Sequence, residues 1–196
     1  DRIMKRRLAP DVRLRKAMYD PLEPLPVDER LVALLGSDFS LYADSDLRSA
    51  LASGGYRLAD VQECTTYAEF KGLGAAGLFV SVYPNAVYGA DKLARRLGRR
   101  HQYLPSSFQY DEIEREHAEL RTALGLPALD TAAERVRCEE ELALTRAAVG
   151  GAPIAIDAAA HPRPLGLSRM LLEHGFRVTE VYLDGVTDEE RPTLEW

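Results

Sequence analysis

The sequence predicts an α/β fold, a Rossmann-like doubly wound parallel sheet. Three observations predict it. Short apolar runs alternate with amphipathic stretches almost without exception. The best of these runs, Leu78–Tyr83, is nearly continuous in apolar side chains, as strands buried on both faces are. Glycine or proline punctuates nearly every junction, where helices stop and strands end.

The elements follow in order. Residues 17–28 read as a linker, because Pro21, Pro24 and Pro26 alternate with Leu22, Leu25 and Val27 in a pattern suited to extended backbone. Arg30–Leu35 is an apolar run ending at Gly36, a buried strand. Asp44 or Ser45 caps a helix with Leu47, Ala50 and Leu51 on one face, which Gly54-Gly55 stops. Tyr56–Val61 is a second strand. Thr65 or Thr66 caps a short helix with Glu69 in its first turns. After Leu78–Tyr83, Pro84-Asn85 breaks the strand, and Val87, Ala90, Ala94 and Leu97 share a helical stripe that Gly98 terminates. Gln102–Leu104 is a short strand. Asp111 opens a helix expected to bury Ile113, Leu120 and Leu124, with its other polar residues (Glu112, Arg115, Glu116, Glu119) on a solvated face. A long charged helix covers 131–149. Ile154–Ile156 is a strand, Pro164–His174 a helix, Phe176–Leu183 a strand, and Asp188–Trp196 the start of a further helix.

This organisation divides the chain into a basic, Pro-rich lead-in (1–28), a Rossmann-like domain (29–130), a connecting helix (131–150) and the start of a second Rossmann-like lobe (151–196). Without an initiator Met, and with its last helix broken off, the sequence reads as a piece of a longer protein. At 196 residues, 46% apolar and 29% charged, it needs no disulfide to fold. No stretch approaches a membrane span and no signal peptide opens it. Two isolated cysteines, Cys64 and Cys138, read as free thiols of a reducing compartment. Residues 1–16 carry seven basic and two acidic side chains, leaving the remainder at −11 of the total −6. That arm either meets an acidic partner or is a solvated terminal segment. The acidic body has no basic stripe with interleaved aromatics, so nucleic acid is not expected.

In such folds ligands sit at the carboxyl ends of strands. Four loops lie there: Gly36–Asp38, Tyr83–Asn85, Pro105–Phe108 and Asp157–Pro164. The last follows a strand and opens a helix, so His161 and Arg163 are expected to face a crevice between lobes, with Arg163 near a helix start as an anion site. Gly72, Gly74 and Gly77 fit a dinucleotide spacing, but they precede a strand rather than follow one, and no P-loop exists. Glu114 and His117 have E-x-x-H spacing but stand alone, so no metal site is expected.

Leu31–Gly36, Asp46-Leu47 with Leu51 and Gly54-Gly55-Tyr56, Ala75–Tyr88, Leu93–Gly98, Leu104–Phe108 with Asp111, Ile113 and Leu120, and Arg163-Pro164 twelve residues before Gly175-Phe176 keep a familiar order and spacing. Together they resemble the nitrogenase component 1-type superfamily, from its middle domain onward. The resemblance implies a cytoplasmic, oligomeric redox protein paired with another component 1-like subunit. It would accept electrons from an ATP-dependent iron–sulfur reductase and reduce a small molecule or a tetrapyrrole. It also implies cofactor contact by Arg163, His161, Tyr83, Asn85 and Ser107. An iron–sulfur or related metal cluster would need a partner or further segments, since no Cys stands at Val82–Asn85 and Ala160-His161 replaces a Gly-Gly pair. A non-catalytic ligand-binding or scaffold protein of the same fold is the alternative. On either reading, Arg163→Ala is expected to weaken ligand binding and leave folding nearly intact.

Overall fold

The computed structural model describes residues 8–128 and 130–196. Arg2, Lys5, Arg6 and Arg7 of the basic arm lie outside the described residues. The chain divides into two compact units, Asp1–Pro105 and Ser106–Trp196. The boundary therefore falls at Pro105, earlier than the break at 130 that the sequence suggests, because Leu104 closes the first unit's sheet by donating its N–H to the Ser81 carbonyl (2.8 Å).

The first unit opens with helix α1 (Pro10–Tyr19), whose last three residues fall in the stretch expected to be linker. Pro10 in its first turn and Asp11 beside it are ordinary helix-start residues. The element is hard to see because its inward face, Val12, Arg15, Lys16 and Tyr19, carries two basic side chains. From Asp20 to Val27 the chain is non-helical, as its prolines require. Strand β1 (Asp28–Leu35) is followed by α2 (Asp46–Ser53), capped by the Ser45 side chain. Next come β2 (Arg57–Asp60) and α3 (Tyr67–Gly72), where Thr66 and Glu69 form a capping box. Strand β3 (Ala76–Ser81), α4 (Pro84–Leu97) and β4 (Arg100–Tyr103) complete the unit.

All pairings are parallel, in the order β2-β1-β3-β4. The right-handed crossover rule puts α2 on one face and α3 and α4 on the other, so the fold is a Rossmann-like, doubly wound α/β sheet. Alternation along β1 explains its continuous apolar run. Ala33 and Leu35 join a core with Tyr19 and Leu22, with Phe79 of β3, and with Ala90, Leu93, Ala94 and Leu97 of α4. Val32 and Leu34 are equally buried on the opposite face.

Two glycines permit the close packing. Gly89 lets α1 lie against α4, where a Cβ would sit 3.1 Å from the Lys16 backbone. Gly36 ends β1 at φ +87°, and a Cβ there would fall 2.0 Å from that of Ala86. The close approach of β1's end to the start of α4 is therefore conditional on glycine.

The second unit holds α5 (Tyr110–Leu124), α6 (Ala132–Val149), β5 (Ile154–Ile156), α7 (Pro164–Glu173), β6 (Val178–Val181) and α8 (Arg191–Leu194). Its two strands pair in parallel through α7, one βαβ unit. Helix α6 buries none of its side chains.

Gly36→Ala should destabilise the protein by about 3 kcal/mol, since it adds both left-handed strain and a steric overlap. Urea unfolding of the variant measures this directly.

Candidate functional site

In the first unit, the strand order reverses direction between β1 and β3, and their carboxyl ends form the topological switch point where doubly wound sheets bind ligands. Two of the four predicted loops meet there. Tyr83 is the residue before α4, Asn85 lies in its first turn, and Gly36 touches Ala86. Asp38 raises the pKa of the half-buried Tyr83 phenol, after the larger effect of burial, while Arg15 opposes both. Arg15 forms an ion pair with Asp38, and Gln62 donates to the Ser37 carbonyl at 2.6 Å. The Ser37 hydroxyl and the Asn85 side-chain oxygen are buried without hydrogen-bond partners among the described residues. Polar atoms left unpaired inside a fold mark a strained or ligand-directed place.

In the second unit, the loop before α7 does something the sequence does not suggest. Helix α7 has no side-chain cap of its own. Its Gly166 N–H donates at 2.9 Å to a carboxylate oxygen of Glu190, twenty-four residues on and 1% exposed. The Leu165 N–H acts on the same carboxylate. The anion expected at this helix start is thus the protein's own. Burial pushes the Glu190 carboxyl up, and these two N–H groups and Arg163 pull it back.

Arg163 is 3% exposed, and both of its terminal nitrogens reach one Glu112 oxygen at 3.4–3.5 Å. Ser107 donates to that same oxygen and accepts the Gln109 N–H at 3.1 Å. His161 Nδ1 accepts the Arg163 N–H at 3.1 Å, so the neutral ring carries its proton on Nε2. Its ring packs edge-on to Phe108, 4.7 Å between centroids. Burial, then the Arg163 charge, holds the imidazole below its usual pKa.

Glu116 corrects the sequence reading of α5. It is 8% exposed, and burial, followed by the Glu112 charge, pushes its carboxyl up to about 7, with Arg163 opposing. Ser107, His161 and Arg163 are therefore brought together, but around Glu112, Glu116 and Glu190. None of these three carboxylates was anticipated. One signal was present: Glu116 lies three residues after Ile113 and four before Leu120, inside the apolar stripe. Glu190 had no such signal.

Cys64 and Cys138 are free thiols. Among the described residues no three His, Cys, Asp or Glu side chains cluster as metal ligands, and no helix is long and apolar enough to cross a membrane.

The geometry defines a class first: Rossmann-like α/β, with polar loops at the carboxyl ends of its strands. Within that class the chain is similar to the solved structure "Nitrogenase Cp1 at pH 6.5", with a TM-score of 0.63 at 14% identity over 94% of this chain and 45% of the other. That is a distant relationship of fold, and the chain spans less than half of its neighbour's length. No protein-family model matches the chain, and no curated protein does.

Two predictions follow from the buried carboxylates. Because Glu116 holds its proton more tightly folded than unfolded, stability should fall as pH rises from about 4.5 to about 7 and level off above. Glu116→Gln should remove this slope and gain roughly 1–2 kcal/mol at pH 8, a figure reduced for partial solvent screening; denaturation across a pH series measures it. Arg163→Ala should cost about 3 kcal/mol in chemical unfolding by stranding buried carboxylates, rather than leaving folding nearly intact.

Proposed function

We propose that this chain is part of a nitrogenase component 1-like redox protein. In this reading it supplies an α/β framework and a polar switch-point crevice, and the thiolates that hold any metal cluster come from a partner or from further segments. The observation that carries the proposal is the likeness of fold to a nitrogenase along 94% of the chain. The protein would then work as an oligomer with another component 1-like subunit. It would take electrons from an ATP-dependent iron–sulfur reductase and pass them to a small molecule or a tetrapyrrole.

The chain's own residues do not fit a resident iron–sulfur cluster. Such clusters are held mainly by thiolates. Cys64 is half-buried, and burial, with Glu69, Asp60 and Glu63 behind it, pushes its thiol pKa up. Cys138 is exposed on α6. Neither has a neighbouring metal-ligand set among the described residues.

What the chain contributes is therefore binding and positioning. Tyr83 and Asn85, with the unpaired Ser37 hydroxyl, are the side chains in this reading that meet a ligand at the switch point. Ser107, His161 and Arg163 hold the loop ahead of α7 in shape. The second reading, a non-catalytic ligand-binding or cofactor-scaffold protein, is favoured by one observation: the acidic surroundings of Cys64 disfavour its thiolate.

Iron and acid-labile sulfide, measured on the full-length protein purified without oxygen, separate the two. Stoichiometric iron and sulfide, unchanged in Cys64→Ser, is the expected result. A folded protein containing neither overturns the redox reading in favour of the scaffold. Loss of the metal in Cys64→Ser overturns the assignment of ligands to sites outside this chain.

A further inference from the structure

The carboxyl-terminal half of α5 walls a cavity of about 210 Å³, formed by Glu114, His117, Arg121, Thr122 and Thr131 among others. Spacings of three and four residues put the helical members on one face. Glu114 and His117 alone have the look of half a metal site. Arg121 changes that, because a fixed positive charge beside them repels a metal cation.

Arg121 is 7% exposed. Its Nε donates to the Pro127 carbonyl, while its Nη1 is buried and finds no acceptor among the described residues. A guanidinium stays charged at every working pH and carries five donors in a planar fork. Burying it with donors unpaired is costly. Arg163 shares its burial, yet Arg163 has the Glu112 carboxylate and Arg121 has no ion pair among the described residues. An anion entering the cavity that Arg121 lines would supply this guanidinium with an acceptor.

We propose that this cavity binds a small oxyanion, either an organic carboxylate or inorganic phosphate, with Arg121 as its anchor. The volume sets the size: it lies below the roughly 300 Å³ where drug-sized pockets begin, so the ligand has few heavy atoms. Glu114 stands on the same wall, restrained by the Thr131 hydroxyl, which donates to it at 3.0 Å. Its negative charge limits the affinity of an anion that carries no donor of its own.

Thermal unfolding of the chain tests this with sodium acetate and sodium phosphate, each against sodium chloride at equal ionic strength. A saturable rise in Tm with either anion, absent with chloride, is expected. A response to acetate alone identifies an organic carboxylate, and a response to phosphate alone identifies phosphate. Arg121→Gln should weaken binding by roughly 10- to 100-fold, the range for a hydrogen bond to a charged group. Glu114→Gln, at an exposed position, should tighten it. The proposal is overturned if neither anion exceeds chloride, if Arg121→Gln titrates like the wild type, or if Glu114→Gln leaves the affinity unchanged.

Discussion

The second unit depends on one electrostatic constraint: a helix start and an arginine, both buried, must be neutralised from within. The first N–H groups of α7 have no intrahelical partners, and Glu190 returns from the far end of the unit to accept from Gly166. A buried carboxylate is tolerable only with such partners, and the helix start is tolerable only with such an acceptor. Each resolves the other. Arg163, just ahead of the helix, completes the arrangement by pairing with Glu112 of α5. The loop, α5, α7 and the segment before α8 are thereby tied by charge where a short βαβ unit has little apolar core to offer.

The first unit is built on the opposite principle. Its parallel sheet is covered on both faces, and its interior is aliphatic and aromatic, with Phe79 and Leu35 fully buried. Close packing concentrates the constraint at Gly36, where β1 meets the start of α4. Because the backbone approaches so closely, Ser37 and Asn85 on either side are drawn inward, and the Ser37 hydroxyl and the Asn85 side-chain oxygen are buried without partners among the described residues. A ligand entering at the switch point would meet donors and acceptors whose hydration is already lost, so less desolvation would oppose its binding.

What the sequence made legible follows from the range over which each signal acts. The helix caps at Ser45 and Thr66, the left-handed glycines at Gly98 and Gly125, and the strand runs at 30–35 and 78–83 act within a few residues; the elements formed there, with β3 ending at Ser81, ahead of the expected Tyr83. Helix α1 is hidden in the sequence because its inward stripe, Val12, Arg15, Lys16 and Tyr19, is half basic. The carboxylate cluster was missed for a different reason. Glu112 and Glu116 look like any charged pair on a helix until Arg163, some fifty residues away, is brought against them. Periodicity places position 116 in the interior while residue type argues for solvent, and in the fold periodicity prevails.

The same distinction governs how function is read from a likeness of fold. At 14% identity the likeness is one of backbone path, and the partners of each side chain have to be read from this chain itself. An arginine after a strand and before a helix suggests an anion from outside, yet here Glu112 and Glu190 already supply the negative charge. Cys64 shows the same logic with the sign reversed: burial first, then the charges of Glu69, Asp60 and Glu63, raises the cost of its thiolate. At both sites the chain itself sets the charge. Among the described residues, the buried side-chain atoms still lacking partners include the Ser37 hydroxyl and the Asn85 oxygen at the switch point and Nη1 of Arg121 on α5, and Arg163 keeps one such atom, its Nε. Unmet valence, more than residue identity or loop position, is therefore the better guide to where this molecule meets its ligands.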